Sequence, residues 1–182
     1  AIIAAITLFS VPVQAQQVSD EVLPEAKTAL ATKFEFLSPE VAASLAAKAR
    51  GEPILAKDWM VAVANPHAAV AGARVLKEGG TAADAMVAVQ AVLGLVEPQS
   101  SGIGGGAFLV WFDATTGKLT TLDGRETAPM AATPGLFQDA NGERMKFWDA
   151  VVGGRSVGVP GTPALMEAAH KRWGQKAWND LF

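Results

Sequence analysis

Cysteine is absent from the 182 residues, which removes disulfides, thiolate metal ligands and a cysteine nucleophile together. Histidine is scarce: His67 and His170 are the two, too few for a histidine-built metal centre. Charge is sparse and balanced, with 18% charged residues and 15 basic against 18 acidic side chains for a net of −3. No basic stripe stands out, so nucleic acid is set aside as a partner. Neither a Gly-x-Ser-x-Gly elbow nor a cluster at metal-ligand spacing occurs, and no metal or cofactor is expected. What the chain has in quantity is apolar: 50% of its residues are hydrophobic, enough for one folded domain of ordinary size.

Three stretches organise the chain. Residues 1–15 begin with an uncharged, largely apolar run, Ala1 to Val13, and Val13-Gln14-Ala15 satisfies the small-residue rule for signal-peptide cleavage. The run is too short to span a bilayer. It reads as the remnant of an export signal, which implies a periplasmic or secreted protein with no stable membrane anchor once the signal is removed. Residues 16–56 form a polar and helical segment, and residues 57–182 carry the main domain.

Local signals place the elements. Ser38-Pro39-Glu40 opens a helix with a capping serine, a proline at the first position and an acid in the first turn, and Gly51 closes it. Trp59 to Ala64 reads as a short buried strand. Asn65-Pro66 opens a second helix, with Ala69, Ala73 and Leu76 as its expected apolar face, stopped by Gly79-Gly80. Thr81-Ala82-Ala83-Asp84 is a capping box, and the helix from Ala82 to Leu95 has no charge after Asp84. A helix apolar all round needs cover on most sides, and a missing partner segment is inferred for it. Ala107–Phe112 and Leu119–Leu122 read as a hairpin joined by Asp113 to Lys118. Pro129, Pro134 and Gly135 suggest a surface loop, Ser156 to Gly161 a short edge strand, and Thr162 to Trp173 a final amphipathic helix.

The run Glu97-Pro98-Gln99-Ser100-Ser101-Gly102-Ile103-Gly104-Gly105-Gly106 is the densest signal. Its glycines let another backbone or a ligand approach closely. With Ala107 it satisfies the dinucleotide fingerprint formally. That fingerprint requires a strand before it and a helix after it, and here a helix precedes and a strand follows. About twenty residues on, just past the hairpin, stands Asp123-Gly124-Arg125-Glu126-Thr127-Ala128-Pro129. Arg125 offers a planar fork suited to a carboxylate; equally, beside Asp123 and Glu126 it could be a solvated ion pair of about 0–1 kcal/mol. His67, one turn inside a helix start, reads as a helix residue rather than a base.

Together these pieces resemble the γ-glutamyltranspeptidases, members of the N-terminal-nucleophile hydrolases. The resemblance is carried by Gly79-Gly80-Thr81-Ala82-Ala83-Asp84-Ala85, Glu97-Pro98 through Gly106, Gly124-Arg125-Glu126-Thr127-Ala128-Pro129, and Ser156 to Gly161. These motifs follow one another in the family's order between Lys57 and Phe182.

The resemblance implies an α+β fold, a four-layer αββα sandwich of which this stretch holds the N-terminal part of the large subunit. It implies an exported precursor that cleaves itself into two subunits. The new N-terminal threonine of the small subunit, a partner from the same precursor, attacks the γ-glutamyl amide of glutathione or a related small molecule and passes the group to water, an amino acid or a peptide. It implies that Arg125 binds the α-carboxylate of that substrate, with Glu126 orienting the guanidinium. No threonine here lies in the family's nucleophile motif, no catalytic residue is assigned, and residues 1–182 alone are expected to be inactive. Two alternatives stand beside this one: an acylase of the same family acting on a cephalosporin-type amide, and a non-catalytic exported binding protein for small amino-acid-like anions.

Overall fold

The structure, a computed structural model, describes residues 38–182; the expected export signal at 1–15 and the polar stretch to residue 37 lie outside the described residues. The first helix, α1 (Pro39–Arg50), begins where Ser38 accepts a bond from the backbone N–H of Val41 and ends at Gly51 in a left-handed turn (φ 70°). Helix α2 (Pro66–Lys77) is capped by Asn65, whose side chain accepts from His67 N at 3.0 Å. Helix α3 (Ala82–Val96) has both halves of its capping box: Asp84 N donates to Thr81 Oγ1, and Thr81 N donates to Asp84 Oδ2. A hairpin follows, β1 (Ala107–Asp113) antiparallel to β2 (Lys118–Gly124). After a loop come α4 (Phe147–Val151), a 3-10 turn (Gly154–Ser156), α5 (Thr162–Trp173) and a closing 3-10 turn (Trp178–Leu181). No described helix is long and apolar enough to cross a membrane.

The core lies where α2, α3, α5 and the closing turn meet. Val75, Ala85, Val87, Ala88, Met166 and Leu181 form one buried cluster. Small residues set the spacing of α2 and α3: a Cβ at Gly72 would come within 2.6 Å of Val89 Cγ2. The buried line of α2 is accordingly Ala68, Gly72 and Val75, not the expected Ala69, Ala73 and Leu76, one position away. The pattern of alanines does not distinguish the two lines; the close approach at Gly72 does.

Two further expectations are corrected. Trp59 to Ala64 forms no strand, and Trp59 and Met60 are exposed; a strand needs a ladder partner, and none lies beside this segment among the described residues. Ser156 to Gly161 is not an edge strand either. It starts inside a 3-10 turn and makes one isolated bridge, Val159 with Thr127. Helix α3 is covered over its first half. Ala83, Asp84, Ala85, Val87 and Ala88 are buried under α2, α5 and the closing turn, while Leu95 at the far end remains 80% exposed.

The hairpin turn is built locally. Asp113 accepts from Thr115 N at 2.9 Å, and Gly117 takes φ 67°, which a side chain would resist. Register then alternates the faces. Leu109 opposite Leu122 and Trp111 opposite Thr120 lie on the face covered by α5, where Trp111 stacks on Trp173 at 4.6 Å. Phe108, Val110 and Phe112 point to the other face and are exposed.

The most heavily bonded side chain of the fold is Asp84. It is fully buried. Besides Thr81, it accepts from Gln175 N at 3.0 Å and Lys176 N at 3.3 Å, so the start of α3 is tied to the chain just after α5. His170 Nε2 lies 3.5 Å from Asp84 Oδ1 and 2.9 Å from Lys176 O; because a carbonyl only accepts, that nitrogen carries the proton. Gly174 makes the fit possible, since a Cβ there would stand 2.7 Å from Asp84 Oδ1. Burial alone would raise the Asp84 pKa. The backbone N–H groups of Thr81, Gln175 and Lys176 and the Thr81 hydroxyl outweigh it and hold the carboxyl below its ordinary 3.8.

Asp84→Ala is therefore expected to destabilise the protein by about 3 kcal/mol, since several buried donors lose a charged acceptor; the urea unfolding midpoint measures it. The folded pKa is the depressed one, so the contribution of Asp84 is full above the unfolded carboxyl range and is lost as pH falls through 3.8 toward the lower folded value. Asp84→Ala should flatten that acid limb of the stability profile.

Candidate functional site

The glycine-dense stretch runs from the end of α3 to the start of β1, and it is held at both ends. At its start, Glu97 accepts from Asn65 Nδ2 at 2.9 Å and from Gln99 Nε2 at 2.5 Å, which together hold its carboxyl below the usual range. Gln90, on α3, donates to Ser101 Oγ at 2.6 Å. At its end, the carbonyl of Gly105 accepts two backbone N–H groups, from Gly161 at 3.0 Å and Thr162 at 3.1 Å, where α5 begins. The turn is thus stapled to three helices.

Arg125 and Glu126 leave β2 directly beside this turn. Asp123 Oδ1 accepts from Arg125 N at 2.9 Å, which fixes the backbone rather than the guanidinium. Arg125 Nη1 is 3.3 Å from Glu126 Oε2, and the Arg125 side chain is 68% exposed against 29% for Glu126. Of the two acids beside Arg125 in sequence, Glu126 is thus the ion-pair partner. An open cleft of about 590 Å³ is lined by Gln90, by Pro98 and most of the Ser100–Ala107 turn, by Arg125 and Glu126, and by Thr162. The sequence-predicted pair therefore meets the glycine turn at one cleft, which Arg125 lines. Chemically this is a cationic fork beside a cavity lined largely by backbone, fit to hold a carboxylate.

Packing behind the pair is tight. A Cβ on Gly161 would lie 2.0 Å from Gly124 O, and one on Gly124 would lie 2.7 Å from Leu165 Cβ. Space, not torsion, demands glycine at Gly161, whose φ of −113° any residue adopts. Sequence reading left these contacts out; their signal was the recurrence of glycine in Val159-Pro160-Gly161 and Asp123-Gly124. It also gave no role to Gln90, the one polar residue on α3 after Asp84. His67 is exposed at the start of α2 and is not among the residues that line the cleft. Among the described residues, no three His, Asp or Glu side chains are grouped to hold a metal ion.

The model of the family Gamma-glutamyltranspeptidase matches residues 68–182. The glutathione hydrolase proenzyme of Bacillus subtilis is 48% identical over 125 residues, covering 69% of this chain and 21% of that protein. Among solved structures, γ-glutamyltranspeptidase of Helicobacter pylori superposes with TM-score 0.66 at 40% identity, over 71% of this chain and 37% of that one. Cephalosporin acylase of Bacillus halodurans superposes with TM-score 0.52 at 35% identity, over 68% of this chain and 24% of that one. The chain belongs to the γ-glutamyltranspeptidase family. It spans about a fifth of the length of the curated relatives it matches. Its fold is the γ-glutamyltranspeptidase, N-terminal-nucleophile hydrolase fold, of which the described residues build one hairpin and the helices around it.

Gly161→Ala should be among the most damaging small substitutions in the chain. Its new methyl meets a backbone carbonyl that cannot swing aside, and a loss of about 3 kcal/mol is expected. The urea midpoint of the full-length protein reads this, with Gly154→Ala, where nothing lies within 4 Å of the added carbon, as the neutral comparison.

Proposed function

We propose that this chain is the early part of the large subunit of an exported γ-glutamyltransferase and glutathione hydrolase, with residues 1–15 the end of its export signal and residues 57–182 the family domain. The observation that carries the reading is Arg125 at the rim of the glycine-lined cleft, in a chain of this family. The complete precursor cleaves itself, and a threonine outside residues 1–182 becomes the N-terminal nucleophile of the small subunit. An amide is a weak electrophile and a hydroxyl a weak nucleophile, so the free amine of that threonine serves as base. The γ-glutamyl group is carried on the threonine and released to water, an amino acid or a peptide.

The role of Arg125 is to aim the substrate. It grips the α-carboxylate, several bonds from the scissile γ-amide, so that the attacked carbonyl is presented in one orientation and the entropic cost of alignment is met by binding. Glu126 orients the guanidinium. Membership of the γ-glutamyltranspeptidase family follows from the comparisons; the enzymatic activity of the full-length protein, its substrate and the role of each residue are proposed.

A second reading is favoured by the likeness to a cephalosporin acylase: the same attack on a different amide. A substrate without an amino-acid end would leave Arg125 unused, which argues for the γ-glutamyl donor.

The test is Arg125→Lys in the full-length precursor. Lysine keeps the charge but loses the two-pronged geometry. Losing one charge-assisted bond of about 1.5 kcal/mol corresponds to roughly a tenfold rise in KM for a γ-glutamyl anilide. Self-cleavage, read as the two-subunit pattern on a gel, should proceed as before. An unchanged KM would remove Arg125 from the substrate site.

A further inference from the structure

The carboxylate of Glu126 occupies a slot made by two glycines from different parts of the chain. A Cβ on Gly106 would stand 2.4 Å from Glu126 Oε2 and 2.7 Å from Glu126 N. One on Gly158 would stand 2.8 Å from Glu126 Cβ and 3.1 Å from Thr127 O. Gly106 comes from the turn before β1, and Gly158 from the stretch ahead of α5. The Gly158 side is pinned by the paired backbone bonds of its neighbour Val159 with Thr127, at 2.8 and 3.4 Å. Neither glycine has positive φ, so what the fold asks of both is empty space.

The slot leaves Glu126 Oε2 out of water, and this oxygen accepts no hydrogen bond among the described residues. A buried carboxylate oxygen without a donor is costly unless a cation balances it. The cation at hand is Arg125 Nη1 at 3.3 Å. The contacts therefore run in one line, from Gly158 and Gly106 to Glu126, and from Glu126 to the guanidinium at the cleft.

We propose that Gly106 and Gly158 are positioning residues: by excluding side chains they seat the Glu126 carboxylate where it sets the direction of the Arg125 fork. This rests on the reading of Arg125 as the clamp on the donor. Gly158 does not line the cleft, and Gly106 lines it with backbone alone. They act through Glu126, and their removal misdirects binding without touching the chemistry of the nucleophile.

The deciding experiment compares Gly158→Ala, Gly154→Ala and Arg125→Lys in the full-length precursor. Gly158→Ala is expected to raise the KM for a γ-glutamyl anilide by about tenfold while kcat stays within about twofold and self-cleavage goes to completion. Gly154→Ala, whose added carbon meets nothing within 4 Å, should match the parent protein. A Gly158→Ala protein with unchanged KM, or with KM and kcat degraded together, overturns the proposal. Should Gly158→Ala fail to self-cleave, Glu126→Gln decides: it keeps the shape and removes the charge. A KM rise of about fivefold supports the slot, and an unchanged KM overturns it. If Arg125→Lys raises KM while the Gly158→Ala and Glu126→Gln variants do not, the slot alone has failed; if none of them does, the clamp has failed with it.

Discussion

Everything near the cleft depends on a carboxylate that never reaches it. Asp84 is the point where the start of α3 and the end of α5 are bound to the same two oxygens. Helix α3 delivers Gln90 and the glycine turn; α5 delivers the N–H groups that Gly105 accepts. Rotating one helix against the other would pull the turn apart from both sides. The capping box is an ordinary local device, worth on the order of 1 kcal/mol in a surface helix. Here the same side chain does tertiary work, because Gln175 and Lys176 bring two more donors into a site with no water to compete.

The cleft itself is shaped by missing side chains. Its polar furniture is small: one guanidinium, one carboxylate, a glutamine, two serines and a threonine. What places these groups is a set of backbone approaches that only glycine permits, at Gly124 and Gly161 behind the pair and at Gly106 and Gly158 around Glu126. A scaffold of this kind holds its charged pair by exclusion rather than by attraction. That suits the role proposed for Arg125, since a guanidinium fully satisfied by the protein would have nothing left for a ligand.

Local chemistry was legible in the residues, and long-range packing was not. Ser38-Pro39, Asn65-Pro66 and Thr81 with Asp84 marked three helix starts, because a cap is decided within four residues. The hairpin and the span of α5 followed from alternation and from proline beside glycine. The buried line of α2 was read one position off, since alanines fill both candidate lines and only the neighbour at Val89 chooses between them. Trp59 to Ala64 was read as a strand because β-propensity reports a residue's fitness for a pleated surface, not the presence of a partner. At the site, Arg125, the glycine turn and Glu126 as the acid beside the guanidinium stood out; the packing of the partly buried His170 against Asp84 needed the fold.

The Asp113–Lys118 loop has a consequence for which changes in chain length the region tolerates. Faces alternate strictly from Lys118 to Gly124, and Arg125 follows at the next step. A residue added within the loop tip changes only a solvated turn, and the ladder beyond it keeps its count. A residue added inside β2 inverts every side chain after it, sending the guanidinium to the opposite side unless a bulge absorbs the extra unit. Insertions should therefore be permitted between Ala114 and Gly117 and forbidden between Lys118 and Arg125, a boundary set by the arithmetic of the pleat.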